Sequence, residues 1–190
     1  VLDGKNAKFR CFSAIQESQY DNTYNQRKHN LDSILAIRND VEKITSLIMD
    51  SLPKNADYIR VHVGGDFVTS EYMLSWFNVA RMNPNIKFYA YTKAIGWMQD
   101  NEDMRPKNFR MIASYGSKQD NLITKETISA NVIFHPSETK LPIDHNEFYA
   151  INDNQGSFSL LLHGTQKSNS LGSEALKRMN KENIKYSYSR

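Results

Sequence analysis

The sequence predicts an α/β fold, a partial (β/α)-barrel-like, mostly parallel sheet flanked by helices. Two observations predict it. The β-branched run at residues 58–63 is followed by turn residues, an amphipathic stretch, more turn residues and a second apolar run at 86–91. That order is the pattern of a β-α-β unit, which builds parallel sheets with crossover helices. Three further short runs, at 109–114, 131–134 and 157–162, supply the remaining strands.

Taken in order, residues 1–10 read as a polar lead-in. Because the first residue is Val1, a trimmed or truncated start is expected. Residues 22–30 are polar, with Tyr20 and Tyr24 as candidate anchors. Ile34, Leu35, Ile37, Val41, Ile44, Leu47 and Ile48 recur at helical spacing and predict one amphipathic helix. Asp32 or Ser33 would cap it and Pro53 would stop it. The strand at 58–63 ends at Gly64-Gly65. Thr69 or Ser70 caps the next helix, with Glu71 in its first turn, where the helix dipole favours a carboxylate. Tyr72, Met73, Trp76, Phe77 and Ala80 form its apolar face, and Asn83-Pro84-Asn85 ends it. The last strand ends at His163-Gly164, and Ser173 caps a final helix over 174–180.

At 190 residues, with 39% hydrophobic and 24% charged residues, one globular domain over 1–190 is expected. No apolar run approaches the ~20 residues that span a bilayer, and no signal-peptide pattern is visible, which predicts a cytoplasmic protein. Cys11 is the one cysteine, so the chain alone forms neither an internal disulfide nor a thiolate metal site. A net charge of +3 permits nucleic-acid contact without arguing for it.

Parallel sheets bind ligands beyond the carboxyl ends of their strands. The residues there are Gly64, Gly65 and Asp66, Thr92 and Lys93, Ser114, and His163 with Gln166 nearby. Two glycines admit positive φ and close ligand approach, and Asp66 accepts hydrogen bonds; a tight turn with Asp66 as a local cap is the plainer alternative. By strand alternation Arg60 and His62 share one face, either inside a barrel or on a solvated edge. Thr92-Lys93 and the loop from His163 suit an anion or simple solvation. Arg10 would favour a Cys11 thiolate, while its Phe neighbours suit a small buried residue. The aromatic–basic segments Lys87-Phe88-Tyr89-Ala90-Tyr91-Thr92-Lys93 and Lys185-Tyr186-Ser187-Tyr188 admit base stacking, or a plain strand and a frayed end.

The stretch Arg60-Val61-His62-Val63-Gly64-Gly65-Asp66-Phe67, with Trp76 and Phe88-Tyr89-Ala90-Tyr91-Thr92-Lys93, resembles the phage protein family called gene product 88. Phe9-Arg10-Cys11-Phe12-Ser13-Ala14 and Leu161-Leu162-His163-Gly164-Thr165-Gln166-Lys167 carry the resemblance to both ends. A fainter similarity, to radical S-adenosylmethionine enzymes, lies in the cysteine segment and the strand ending in Gly-Gly-acid. It implies S-adenosylmethionine at Gly64, Gly65 and Asp66, to which the strand-end reading adds Arg60, His62, Thr92, Lys93, Ser114, His163 and Gln166 as cofactor-binding residues. It also implies a [4Fe–4S] cluster with Cys11 as one ligand, the others coming from outside the chain. The single cysteine and an Asp in place of the usual Glu depart from that pattern.

These readings lead to an expected phage-encoded radical-S-adenosylmethionine-like enzyme, or a degenerate relative, binding a small molecule in the cytoplasm of an infected bacterium. The alternative is a non-catalytic protein binding nucleic acid or a host protein, or a virion or assembly component.

Overall fold

The computed structural model describes residues 7–184. Its core is a five-stranded, all-parallel sheet in the order β1-β2-β3-β4-β5, curled into a half-barrel with flanking helices. The strands are β1 (Tyr58–Val61), β2 (Lys87–Thr92), β3 (Phe109–Ser114), β4 (Ser129–Ile133) and β5 (Phe158–Leu161). The α/β class and parallel sheet expected from the sequence are therefore present. Three helices precede the sheet: α1 (Phe12–Gln19), α2 (Asp21–Ala36) and α3 (Val41–Ser51). Then come α4 (Ser70–Met82) between β1 and β2, α5 (Ile95–Asp100), α6 (Phe148–Ile151), and α7 (Leu171–Lys181) after β5.

Alternation along the strands divides the core in two. Val61, Phe88, Ala90, Phe109 and Met111 face outward onto Ile44 and Ile48 of α3 and Met73, Phe77 and Ala80 of α4. Tyr89, Ile112, Ala130 and Phe158 face inward, onto Ala150 of α6. Arg110, 5% exposed, donates inward to the carbonyl oxygens of Tyr149, Asp153 and Gln155, holding the segment after α6 beneath the concave face.

Several expectations are corrected. The single amphipathic helix is two, because the chain turns between Ile37 and Asp40. Asp40 caps α3 by accepting from the Lys43 amide at 3.0 Å, so Asp32 and Ser33 lie inside α2 and cap nothing. The polar stretch 22–30 is helical, and Tyr20 and Tyr24 stay 59% and 48% exposed instead of anchoring it. The last helix starts at Leu171. Ser170 is its cap and Ser173 the reciprocal partner three residues on. Thr69 caps α4 as expected, accepting from Tyr72.

Candidate functional site

β1 stops at Val61 because His62 takes a left-handed conformation, φ 63°. That conformation costs free energy for a residue with a Cβ. It also ends the alternation, so Arg60 and His62 do not share a face. Arg60 turns inward, with its Cζ 5.0 Å from the centre of the Tyr91 ring, and pairs with Glu147. Glu147 also accepts from the Tyr89 hydroxyl. His62 turns outward and packs among Phe67, Tyr72 and Trp76.

The His62 Nε2 meets the Tyr72 hydroxyl at 2.9 Å, and its Nδ1 is buried with no hydrogen-bond partner among the described residues. Burial lowers the imidazole from 6.5 to about 4. Between those pH values the unfolded chain binds the proton and the folded chain does not. This contribution to stability is therefore whole above pH 6.5 and is lost as pH falls towards 4, by about 3 kcal/mol. Chemical unfolding across that window should show the slope. His62→Asn, which tolerates the left-handed backbone, should flatten it; an unchanged slope would contradict the assignment.

Asp66 ties two strand ends together. One carboxylate oxygen accepts from the Thr92 hydroxyl at 2.6 Å and the Phe67 amide at 2.8 Å; the other accepts from the Lys93 amide at 2.6 Å. Gly64 is needed for helix packing. A Cβ there would collide with Ser13 Oγ and lie 2.6 Å from the Arg27 Cζ. Arg27 is held by the Ser13 carbonyl, the Ser13 hydroxyl, Gln16 and Glu17. Gly65, φ 100°, opens onto empty space.

That space is a groove of about 480 Å³ between α2 and the turn after β1. Its lining includes His62, Gly64, Gly65 and Asp66, with Tyr24, Leu31, Ile34, Val68 and Tyr72. Its volume suits a small molecule, and apolar Leu31, Ile34 and Val68 share the wall with charged Glu17, Arg27, Lys28, Asp32 and Asp66. A larger groove of about 680 Å³ lies beside Arg110, at the entry ends of β3 and β4, and contains none of the residues expected from the sequence.

The other expected residues take different places. Thr92 is buried under Asp66. The Lys93 ammonium donates to the Ser114 and Tyr115 carbonyl oxygens, so Ser114 contributes its backbone. Desolvation lowers that amine, against the opposing fields of Asp120, Asp66 and Cys11. His163 packs 5.3 Å from Phe12; burial and then the charge of Arg60 lower it. Gln166 is a clasp: it accepts from the Arg10 amide at 2.8 Å and donates to the carbonyl oxygens of Arg10 and His163. Arg60 thus acts electrostatically on His163 and Cys11 on Lys93, and none of the four lines the groove.

The sequence reading missed Tyr24, Arg27, Leu31 and Tyr72 as groove residues, and Glu147 as the partner of Arg60. A Tyr24–Leu31 spacing of seven residues, two helical turns, was the available signal. In the aromatic–basic segment of β2, Phe88 and Tyr89 are 1% and 4% exposed, so their rings are closed to base stacking. The segment from Lys185 lies outside the described residues.

Cys11 is exposed, and no group of three or more His, Cys, Asp or Glu among the described residues is placed to hold a metal ion. A [4Fe–4S] cluster needs three or four thiolates, so the residues present do not fit it. No helix among the described residues is long and apolar enough to cross a membrane. No curated protein and no solved structure matches the chain, and the fainter radical S-adenosylmethionine resemblance gains no support. One family model does match, described as Gene product 88, over residues 4–181. The chain belongs to the gene product 88 family.

Proposed function

We propose that the chain binds a small molecule, S-adenosylmethionine or a close relative, in the groove beyond the end of β1. One observation carries the reading: four residues singled out for ligand contact, His62, Gly64, Gly65 and Asp66, line a single groove of about 480 Å³. The groove opens beside the turn that follows β1. Gly65 leaves its floor open, while Leu31, Ile34 and Val68 supply apolar wall. No cluster chemistry is attached to the reading, since the donor set does not support it.

Calorimetric titration of the chain with S-adenosylmethionine tests this. Saturable binding at one site is expected. Leu31→Trp fills the groove from an exposed position on α2 and should abolish binding without unfolding the chain. Absence of binding to the wild-type chain would overturn the ligand assignment. Undiminished binding to Leu31→Trp would overturn the groove as its site.

A further inference from the structure

We propose that this groove selects organic cations, a sulfonium or quaternary ammonium group placed beside the rings of Tyr24 and Tyr72 and facing the Asp66 carboxylate. The inference rests on the small-molecule reading above and adds the chemical class of the ligand.

Charge bookkeeping around the groove carries it. Five ionised side chains line it: Glu17, Arg27, Lys28, Asp32 and Asp66. Arg27 pairs with Glu17 at 3.0 Å, and Lys28 pairs with Asp32. Asp66 has no cation within ion-pair distance among the described residues. Its carboxylate is held by three neutral donors, the Thr92 hydroxyl and the amides of Phe67 and Lys93. The Lys93 ammonium feels the field of Asp66 but makes its contacts with the carbonyl oxygens of Ser114 and Tyr115. His62 adds no positive charge near neutral pH, because burial holds it at about 4. The lining therefore carries one more negative than positive side chain, and Asp66 is its one carboxylate outside an ion pair among the described residues.

The walls suit the same ligand. Tyr24, 48% exposed on α2, and Tyr72 of α4 both belong to the lining. Aromatic faces attract onium groups, which shed water more easily than a primary ammonium. Leu31, Ile34 and Val68 accept an apolar body. An anion is disfavoured, because the Arg27 guanidinium is spent on Ser13, Gln16 and Glu17 and the Lys28 amine on Asp32.

One isosteric pair separates charge from shape, and a second pair removes the charge together with one methyl group. Choline and 3,3-dimethylbutan-1-ol differ by one charge, as do S-adenosylmethionine and S-adenosylhomocysteine at sulfur. NMR titration of the His62 and Tyr72 resonances should show choline binding about tenfold tighter than its neutral isostere. Calorimetry should show a similar preference for the sulfonium. Asp66→Asn should remove the preference. Tyr24→Leu, at an exposed position that the fold tolerates, should reduce it. Equal binding of both members of each pair overturns cation selection and leaves the small-molecule reading standing. Choline selectivity without S-adenosylmethionine binding does the reverse, removing that ligand and keeping the class. Binding of none of the four overturns both.

Discussion

Phe109→Ala is expected to destabilise the chain by about 3–5 kcal/mol, the range for deleting a fully buried aromatic ring. Phe109 is 0% exposed and joins both layers of the outer core. Its ring stacks on Phe88 at 5.9 Å, with 5° between the planes, and meets the edge of Phe77 at 5.1 Å. Phe88 in turn packs on Trp76 at 6.3 Å. The ring thus connects β2 and β3 to α4. Phe109→Leu should cost markedly less, since more of the volume is kept. Urea unfolding with matched slopes measures both. A loss under about 1 kcal/mol for the alanine variant would show that the site collapses and that the aromatic chain is not what joins the layers.

Asp66→Ala should cost about 2–4 kcal/mol, because hydrogen bonds to a charged acceptor are among the stronger ones. Three donors lose their partner at once, and the Thr92 hydroxyl, in a residue 1% exposed, has no route to water. Asp66→Asn keeps one acceptor oxygen and should lose less. Hydrogen exchange at the Lys93 amide gives a local readout: protection should fall sharply in Asp66→Ala. Unchanged protection would mean that the strand ends are joined by something else. The same substitution weakens ligand binding only if the carboxylate also faces the ligand, so stability and affinity report on separate roles of one side chain.

The strands were legible because each is a short apolar run bounded by turn residues, and a buried parallel strand leaves that mark however the chain folds. The Thr69 cap was legible for a similar reason, since it acts within three residues. The break between α2 and α3 was hidden. Ile34, Ile37, Val41 and Ile44 keep helical spacing across it, so periodicity reads straight through the turn. Helix α2 was hidden because only Ile34 of its sixteen residues is buried. What fastens it is Arg27, through contacts 10 to 14 residues away.

At the site, the Gly-Gly-acid turn was visible but its two glycines do different work. Gly64 yields room to Ser13 and Arg27, and Gly65 to the groove. The shared face of Arg60 and His62 failed because alternation presumes extended backbone, which ends at Val61. Glu147 lies 87 residues from Arg60, and no local pattern connects them.

The Gln166 clasp bears on how the chain is made. It joins residues 156 apart, close to the two ends of the described chain. Helices α1 and α2 leave the ribosome before the sheet, yet the loop that holds Arg10 emerges after all five strands have been synthesised. The Arg10 end of the segment therefore stays unclasped while the sheet assembles, although Ser13 and Arg27 pack on Gly64 just after β1. Long-range closures of this kind form late and slowly. A chain ended before residue 166 should expose the segment around Arg10 to proteases, and the chain that includes the clasp should protect it.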